Sequence, residues 1–476
     1  MKKTKWIKVI VFLVLLYVPW FLWDGIGKVW PFFREPFTFT LLENRNIYEL
    51  EDGFENYYND RIPFRTLLVR TYNRTEKWLD TVYKKSAEKH LISLLYNEDK
   101  EKTAFEEESE KYDWLVYGEG NSYLKAEDHV HEYEAGDTVE PDYDHWGYTE
   151  YICKICGLKV RGDFVEKEED TSYLPPNITA NRVIRGRFDW LYQTDYEDFG
   201  DYRGTDILTE EELQERKKAY EDLRAECEKQ GKELIVLTLP SKLNVYDEYM
   251  PTIDVVNEYK RLPQLRDWMK ENCSVHFVCP WDELKYMDRY YPTYYRYDTH
   301  WNSFGGYIGA QAVAHEMGTD VVPLTELDFQ YQTEPTGNNN MIGFGGFEPS
   351  DFTILDYDLE VDYRPNVNVN LEPDWNFYEY TSDGPIDKHL TLLGDSFRES
   401  MGPYLAKDYT GFSSILQYDL DPNFCEAAGL GFDGVMEHIK KDILEADVIL
   451  LEATEMNEDV QFEYAKVILE ILQEGK

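Results

Sequence analysis

Two short stretches hold side chains that would do chemistry if they met: "LTLLGDSFRE" at 390–399 and "YDTHWNSFGGY" at 297–307. A serine hydroxyl is inert at neutral pH until a base takes its proton. Ser396 is the candidate nucleophile and His300 the candidate base. Asp298 is the carboxylate that would hold the imidazole in the tautomer that accepts from serine. The Asp-x-His spacing lets both side chains converge from one loop onto one point. Each part alone is weak. Gly-Asp-Ser is built from turn residues, Asp395 could simply cap a helix, and the chain holds 9 histidines. Brought together at strand ends, the three residues describe a serine-esterase type of site.

The elements that must position them follow from hydrophobic pattern. Ser396 stands two residues beyond an apolar strand and opens a helix, so its own N–H and the helix dipole would face an oxyanion. Apolar runs at 233–240, 274–279, 389–394, 412–417 and 447–452 read as buried strands. Between them lie helical patterns at about 254–271, 303–317, 397–407, 433–444 and 458–473. A further helix starts at a Thr209–Glu212 capping box and stops at Gly231. Such alternation predicts an α/β fold with a parallel sheet covered on both faces and its site at the C-terminal strand ends. An acidic, Asn-rich stretch at 320–385 reads as loop. "KYDWLVYGEG" (111–120) and "RFDWLYQTDY" (187–196) echo each other, and both read as strand and turn. The acidic, Gly-rich segment between them, 120–186, reads as an inserted module.

Composition narrows the partners. The chain has 476 residues, too many for one compact core, and its 42% hydrophobic and 16% aromatic content excludes a disordered protein. A formal charge of −44 repels phosphate backbones and polyuronates, and there is no basic stripe for nucleic acid. The 38 tyrosines suit polar ligands such as sugars. At the N-terminus, Lys2, Lys3 and Lys5 precede an apolar run from Val9 to Trp23, extended back past Lys8 to Trp6. With Lys8 snorkelling, that run is long enough to span a bilayer. No small-residue cleavage site follows it. The expectation is an uncleaved signal anchor in the cell membrane, N-terminus cytoplasmic and the rest of the chain extracellular. Cys273 and Cys279 are close enough in sequence for a disulfide in such a compartment.

The chain resembles the SGNH-hydrolase-like proteins of alginate O-acetylation (AlgJ/AlgX type) and the related DHHW proteins of Gram-positive bacteria. The pieces that carry the resemblance run in order. They are "ENR" (43–45), "DRIPFR" (60–65), "DWL" (189–191), "DYRG" (201–204), "LPSKLNVYDEYMP" (239–251), "YDTHWNSFGGY", "LLGDSF" (392–397) and "ADVILLEATE" (446–455). It implies an SGNH-like, flavodoxin-like domain with Ser396 as nucleophile, His300 as base and Asp298 as orienting acid. Asp and His precede Ser, the permuted order of the alginate group. It implies no cofactor for the triad, a polytopic membrane-bound O-acyltransferase as acetyl donor and a polysaccharide as acceptor. Two departures stand out. Polyanionic alginate is a poor match for a chain at −44, and no Gly and Asn pair for the remaining oxyanion donors is evident. "GNNNMIGFGG" (337–346) offers Asn339 and Gly343, while Lys242 and Tyr246 offer support rather than chemistry.

The segment 129–160, "HVHEYEAGDTVEPDYDHWGYTEYICKICGLKV", resembles small Cys-x-x-Cys-Gly modules of Gram-positive extracellular proteins. That resemblance implies a structural zinc held by His131, Cys153 and Cys156. The fourth ligand falls to His145, with His129, Asp142 and Asp144 as alternatives, because the family's middle Cys aligns near Tyr143. A local disulfide or free thiols fit the same Cys-x-x-Cys.

The organisation expected is therefore an anchor (1–35), a helical stalk with a first strand (36–119), a zinc-ribbon-like insertion (120–186) and an SGNH-like catalytic domain (187–476). The function expected is O-acetyl transfer to a cell-surface polysaccharide. Acetyl-ester hydrolysis and non-catalytic glycan binding are the alternatives.

Overall fold

The computed structural model describes residues 111–475, apart from 127–128, 144, 195–198, 320, 333–339, 349–357, 363–367 and 373–376. The anchor expected at 1–35 and nearly all of the stalk lie outside the described residues. Among the described residues no helix is long and apolar enough to cross a membrane.

Residues 111–116 are helical, which corrects the strand expected for "KYDWLVYGEG". Tyr112, Leu115 and Val116 are buried, an i, i+3, i+4 spacing that six residues carry as readily as a strand pattern. Three antiparallel strands follow: β1 (Tyr133–Val139), β2 (Gly147–Cys153) and β3 (Lys159–Val165). The supposed echo at 187–196 divides into a 3-10 turn, Arg187–Asp189, between the paired short strands β4 (Val183–Arg185) and β5 (Leu191–Gln193).

The β1–β3 sheet is docked on the larger body by polar contacts. Arg161 donates to the Tyr290 carbonyl at 2.5 Å and to the Tyr291 hydroxyl at 2.9 Å. Lys167 lies 2.6 Å from Asp288 and 3.1 Å from Glu248. Burial opposes the charge on Lys167, but these two carboxylates more than offset it and raise its pKa.

The larger body opens with α1 (Glu210–Lys229). Its capping box is formed as expected: the Thr209 N–H donates to Glu212 at 2.7 Å and the Glu212 N–H to the Thr209 hydroxyl at 3.3 Å. Then come β6 (Glu233–Leu239), α2 (Lys242–Val245), α3 (Arg261–Asn272), β7 (His276–Val278), α4 (Trp281–Met287) and α5 (Ser303–Met317). The stretch expected to be loop contains β8 (Asp328–Gln332), α6 (Asn340–Phe344), β9 (Asp358–Asp362), β10 (Asn368–Glu372) and β11 (Phe377–Thr381). The chain ends with β12 (Ile386–Gly394), α7 (Arg398–Ala406), β13 (Tyr409–Leu416), α8 (Pro422–Ala428), α9 (Phe432–Glu445), β14 (Val448–Thr454) and α10 (Glu458–Glu474).

The sheet order is β10-β11-β13-β12-β14-β6-β7. The strands from β13 to β7 are mutually parallel, as the alternation requires, while β11 joins β13 antiparallel and β10 joins β11 antiparallel. The sheet is therefore mixed, not wholly parallel. Both faces are covered, which is why its central strands are continuous apolar runs. In β14, Val448 and Leu450 pack with Leu284, Ile308 and Met401, whereas Ile449 and Leu451 pack with Leu223, Ile439 and Ile468. Cys273 and Cys279 are free thiols, so the disulfide considered for them is not formed.

One packing detail sets up the site. α5 starts on Asn302, whose side chain accepts from the Gly305 N–H at 3.0 Å, and it runs against α7. A Cβ on Gly306 would sit 2.5 Å from the Ser400 carbonyl oxygen, and one on Gly309 would strike the Trp301 ring. Gly306 thus lets the helix after His300 touch the helix after Ser396, while Gly309 makes room for the Trp301 ring.

Candidate active site

β12 carries Gly394 to the C-terminal edge of the parallel strands, and the chain turns through Asp395, Ser396 and Phe397 before α7 begins. Ser396 thus lies in the turn itself rather than in the helix, with its side chain exposed. Asp395 fixes that turn. One carboxylate oxygen accepts from the Phe397 N–H at 2.9 Å. The other accepts from the Thr454 N–H and hydroxyl, both at 2.9 Å, and from the Asn457 amide at 2.8 Å. Sequence reasoning treated Asp395 only as a helix cap; the signal it missed was the Thr-Glu-x-Asn end of the last strand.

His300 Nε2 lies 2.6 Å from Ser396 Oγ, and His300 Nδ1 lies 2.5 Å from Asp298 Oδ1. The same Asp298 oxygen accepts the His300 backbone N–H at 2.9 Å, so carboxylate and imidazole are locked within one loop. Asp298 is 2% exposed and acceptor-only when ionised, which sets the proton on Nδ1 and leaves Nε2 to accept from serine. The structure therefore brings Ser396, His300 and Asp298 into one hydrogen-bonded chain.

Several contacts hold the two motifs together. The buried Trp301 donates from its indole to the Phe397 carbonyl at 2.9 Å, and the Phe397 ring packs 4.8 Å from the His300 imidazole. Lys242, 3% exposed, donates to the carbonyls of Tyr295 at 2.9 Å, Arg296 at 3.1 Å and Asp298 at 2.5 Å. Its helix is tied in turn to Glu455, which accepts from the Ser241 N–H at 2.7 Å and the Asn244 amide at 2.8 Å. Tyr246 accepts from the Thr293 N–H at 2.7 Å and donates to Asp288 at 2.6 Å. Lys242 and Tyr246 thus shape the loop that carries Asp298 and His300.

Electrostatics beneath the turn are unusual. Glu452 is fully buried, and burial first, then the Asp395 charge, push its pKa well above the carboxylate range despite Arg398. The Glu452 carboxyl lies directly under the turn, adjacent to Gly394, where any Cβ would collide with it.

Of the oxyanion candidates, Asn339 lies outside the described residues. Gly343 is exposed on α6, a helix attached to the site loop by the Met341 N–H, which donates to the Tyr297 carbonyl at 3.2 Å.

Beside the β1–β3 sheet, ligand atoms of His129, His131, Cys153 and Cys156 lie within 4.8 Å of one another. Cys153 Sγ is 3.9 Å from His129 Nε2, and Cys156 Sγ is 3.6 Å from His131 Nδ1. A tetrahedral zinc with ordinary Zn–S and Zn–N bonds needs S···N edges of about 3.5 Å, so the donor set fits that ion. Burial pushes the Cys153 thiol up, but the N–H groups of Cys156 and Ile155 and the His131 ring outweigh it, setting its pKa at about 5. The fourth member is His129, not His145. The β1–β2 register pairs Tyr133 with Cys153, so residues just before β1 meet the Cys-x-x-Cys turn. His145 precedes β2 at the opposite end of that strand, roughly 20 Å away, and contacts Asp142 at 3.1 Å.

The mixed sheet with a Ser–His–Asp chain at its C-terminal edge defines an SGNH-hydrolase-like α/β protein. Residues 183–445 match the family model described as SGNH hydrolase-like domain, acetyltransferase AlgX; this is more than half of the chain, and the chain belongs to that family. No curated protein matches the chain. Among solved structures, it is similar to a DHHW family protein from Eubacterium siraeum, at 11% identity over 71% of this chain and 98% of that one, with a TM-score of 0.37. It is similar to PatB1 of Bacillus cereus carrying a sulfonyl adduct, at 12% identity over 60% and 96%, TM-score 0.40. It is also similar to the O-acetyltransferase domain of Pseudomonas putida AlgJ, at 15% identity over 62% and 99%, TM-score 0.37. Likeness at this distance carries no argument about substrate.

Lys242→Met would remove the clamp on three loop carbonyls while leaving Ser396, His300 and Asp298 unsubstituted. The expected result is a fall in kcat for an acetyl ester of about 10- to 100-fold with KM little changed, since small misplacement of a base is costly. Parallel losses of stability and KM with kcat intact would contradict a positioning role.

Proposed function

We propose that this chain is an extracytoplasmic O-acetyltransferase that acetylates a cell-surface polysaccharide through an acetyl-Ser396 intermediate. One observation carries the reading: the Ser396–His300–Asp298 hydrogen-bonded chain, in a family described as acetyltransferase. Ser396 Oγ attacks the acetyl carbonyl of the donor while His300 Nε2 takes its proton, and Asp298 stabilises the imidazolium. The tetrahedral intermediate collapses as His300 returns the proton to the donor's leaving group. A sugar hydroxyl then gives its proton to His300 and attacks the acetyl-serine, breaking the ester and restoring Ser396. The Ser396 N–H is one oxyanion donor, with Asn339 and Gly343 the candidates for others. Because Asp298 and His300 precede Ser396, the domain is circularly permuted relative to ordinary SGNH enzymes.

The donor is a polytopic membrane-bound O-acyltransferase, and the N-terminal apolar run anchors the chain beside it with the catalytic domain outside the cell. At −44, the chain repels polyuronates, so the acceptor is neutral, zwitterionic or partly cationic. A second reading, acetyl-ester hydrolysis, is favoured by the exposure of Ser396, which leaves water access to the acetyl-serine. Structural zinc bound by His129, His131, Cys153 and Cys156 staples the insertion.

Ser396→Ala is expected to cut acetyl release from a chromogenic ester by at least about 10³-fold. Unchanged turnover would remove Ser396 from the chemistry, and an inert wild type that also fails with glycan acceptors would favour non-catalytic glycan binding. For the insertion, Cys153→Ser is expected to lower zinc content by one equivalent in plasma mass spectrometry and to lower the melting temperature. Equal zinc in variant and wild type would contradict that ligand set.

A further inference from the structure

A second group of metal-binding side chains lies on the opposite face of the sheet from α5 and α7. Glu379 is the central residue of β11, on the same face as Phe377, which packs in the layer covered by α9. His438 and Asp442 are one turn apart on α9, whose Val435, Ile439 and Ile443 are buried against that layer. Strand alternation and helix periodicity thus place three ligand types at one point. A carboxylate oxygen of Glu379, a ring nitrogen of His438 and a carboxylate oxygen of Asp442 lie within 4.8 Å of one another. The edge of the Phe377 ring region flanks the imidazole, with centroids 4.1 Å apart at 77°.

Asp442 supplies the independent observation. It is 4% exposed, and its Oδ2 atom is buried with no hydrogen-bond partner. No cation pairs with it among the described residues: the lysines nearest in sequence, Lys440 and Lys441, lie within ion-pair distance of Glu474 and Glu445. A buried carboxylate oxygen left without a donor is costly, and a divalent cation would relieve that cost directly.

The geometry points to a divalent metal site formed by Glu379, His438 and Asp442, clamping the antiparallel edge strand β11 to α9. Two carboxylates and one imidazole suit a borderline ion such as Zn²⁺ or Mn²⁺, with remaining positions filled by water. The donor set differs from the His129, His131, Cys153, Cys156 group, whose thiolates disfavour Mn²⁺. This inference stands apart from the acetyl-transfer reading.

The test uses the full chain, stripped with chelator, reloaded with Zn²⁺, desalted and counted by plasma mass spectrometry. In a Cys153→Ser, Cys156→Ser background, one zinc equivalent is expected to remain. Adding either Asp442→Asn or Glu379→Gln is expected to abolish it. Mn²⁺ titration followed by electron paramagnetic resonance should show one bound ion in the background chain and none in the two added variants. Circular dichroism and melting of the stripped forms identify any variant that fails to fold, and the other variant then decides. A background chain with no bound metal, or folded Asp442→Asn and Glu379→Gln chains that keep it, would overturn the assignment.

Discussion

A 2.6 Å contact between His300 and Ser396 can exist only if two loops, far apart in sequence, are held in register to within a few tenths of an ångström. One loop leaves β12 and enters α7; the other precedes α5. Much of the residue choice in both motifs is explained by that requirement rather than by chemistry. Trp301 bonds the Phe397 carbonyl, Gly306 of α5 admits α7, and Lys242 gathers three carbonyls of the loop that carries Asp298. The candidate triad has three members, and the residues that place them are many.

That placement depends on burying polar groups beneath the site, which is tolerable only where each finds partners. Asp395 accepts bonds from Phe397, Thr454 and Asn457 and so joins the Ser396 turn to the end of β14. Glu455, two residues past Ala453 on the same strand end, ties down α2 and through it Lys242. The four motifs that are scattered along the chain are thus one interlocked unit. Glu452 is buried beside the same turn, and that burial, followed by the Asp395 charge, raises its pKa.

The readable parts of this architecture were those dictated by local physics. The helix 303–317 and the capped helix from Thr209 fall where periodicity and caps place them, and the parallel strands match continuous apolar runs. The candidate triad was readable because its residue types are chemically demanding and its positions fall at strand ends. Other features depend on tertiary partners and were not legible. Residues 111–116 are a helix because their apolar side chains meet the core at helical spacing, which so short a segment does not reveal. Strands β10 and β11 sit in an acidic stretch and gain order from pairing beside β13. His129 rather than His145 joins the cysteines because hairpin register, invisible in spacing, decides which histidine returns to the Cys-x-x-Cys turn.

The central claim is that Ser396 carries the acetyl group, and direct chemical trapping tests it. The full chain would be mixed with excess acetyl ester, quenched in acid before the second half-reaction completes, digested and mapped by mass spectrometry. The expected result is a peptide containing Ser396 heavier by one acetyl group, and no such peptide from His300→Ala under the same quench. Turnover by the wild type with acetyl absent from Ser396, or carried on another residue, would contradict the account.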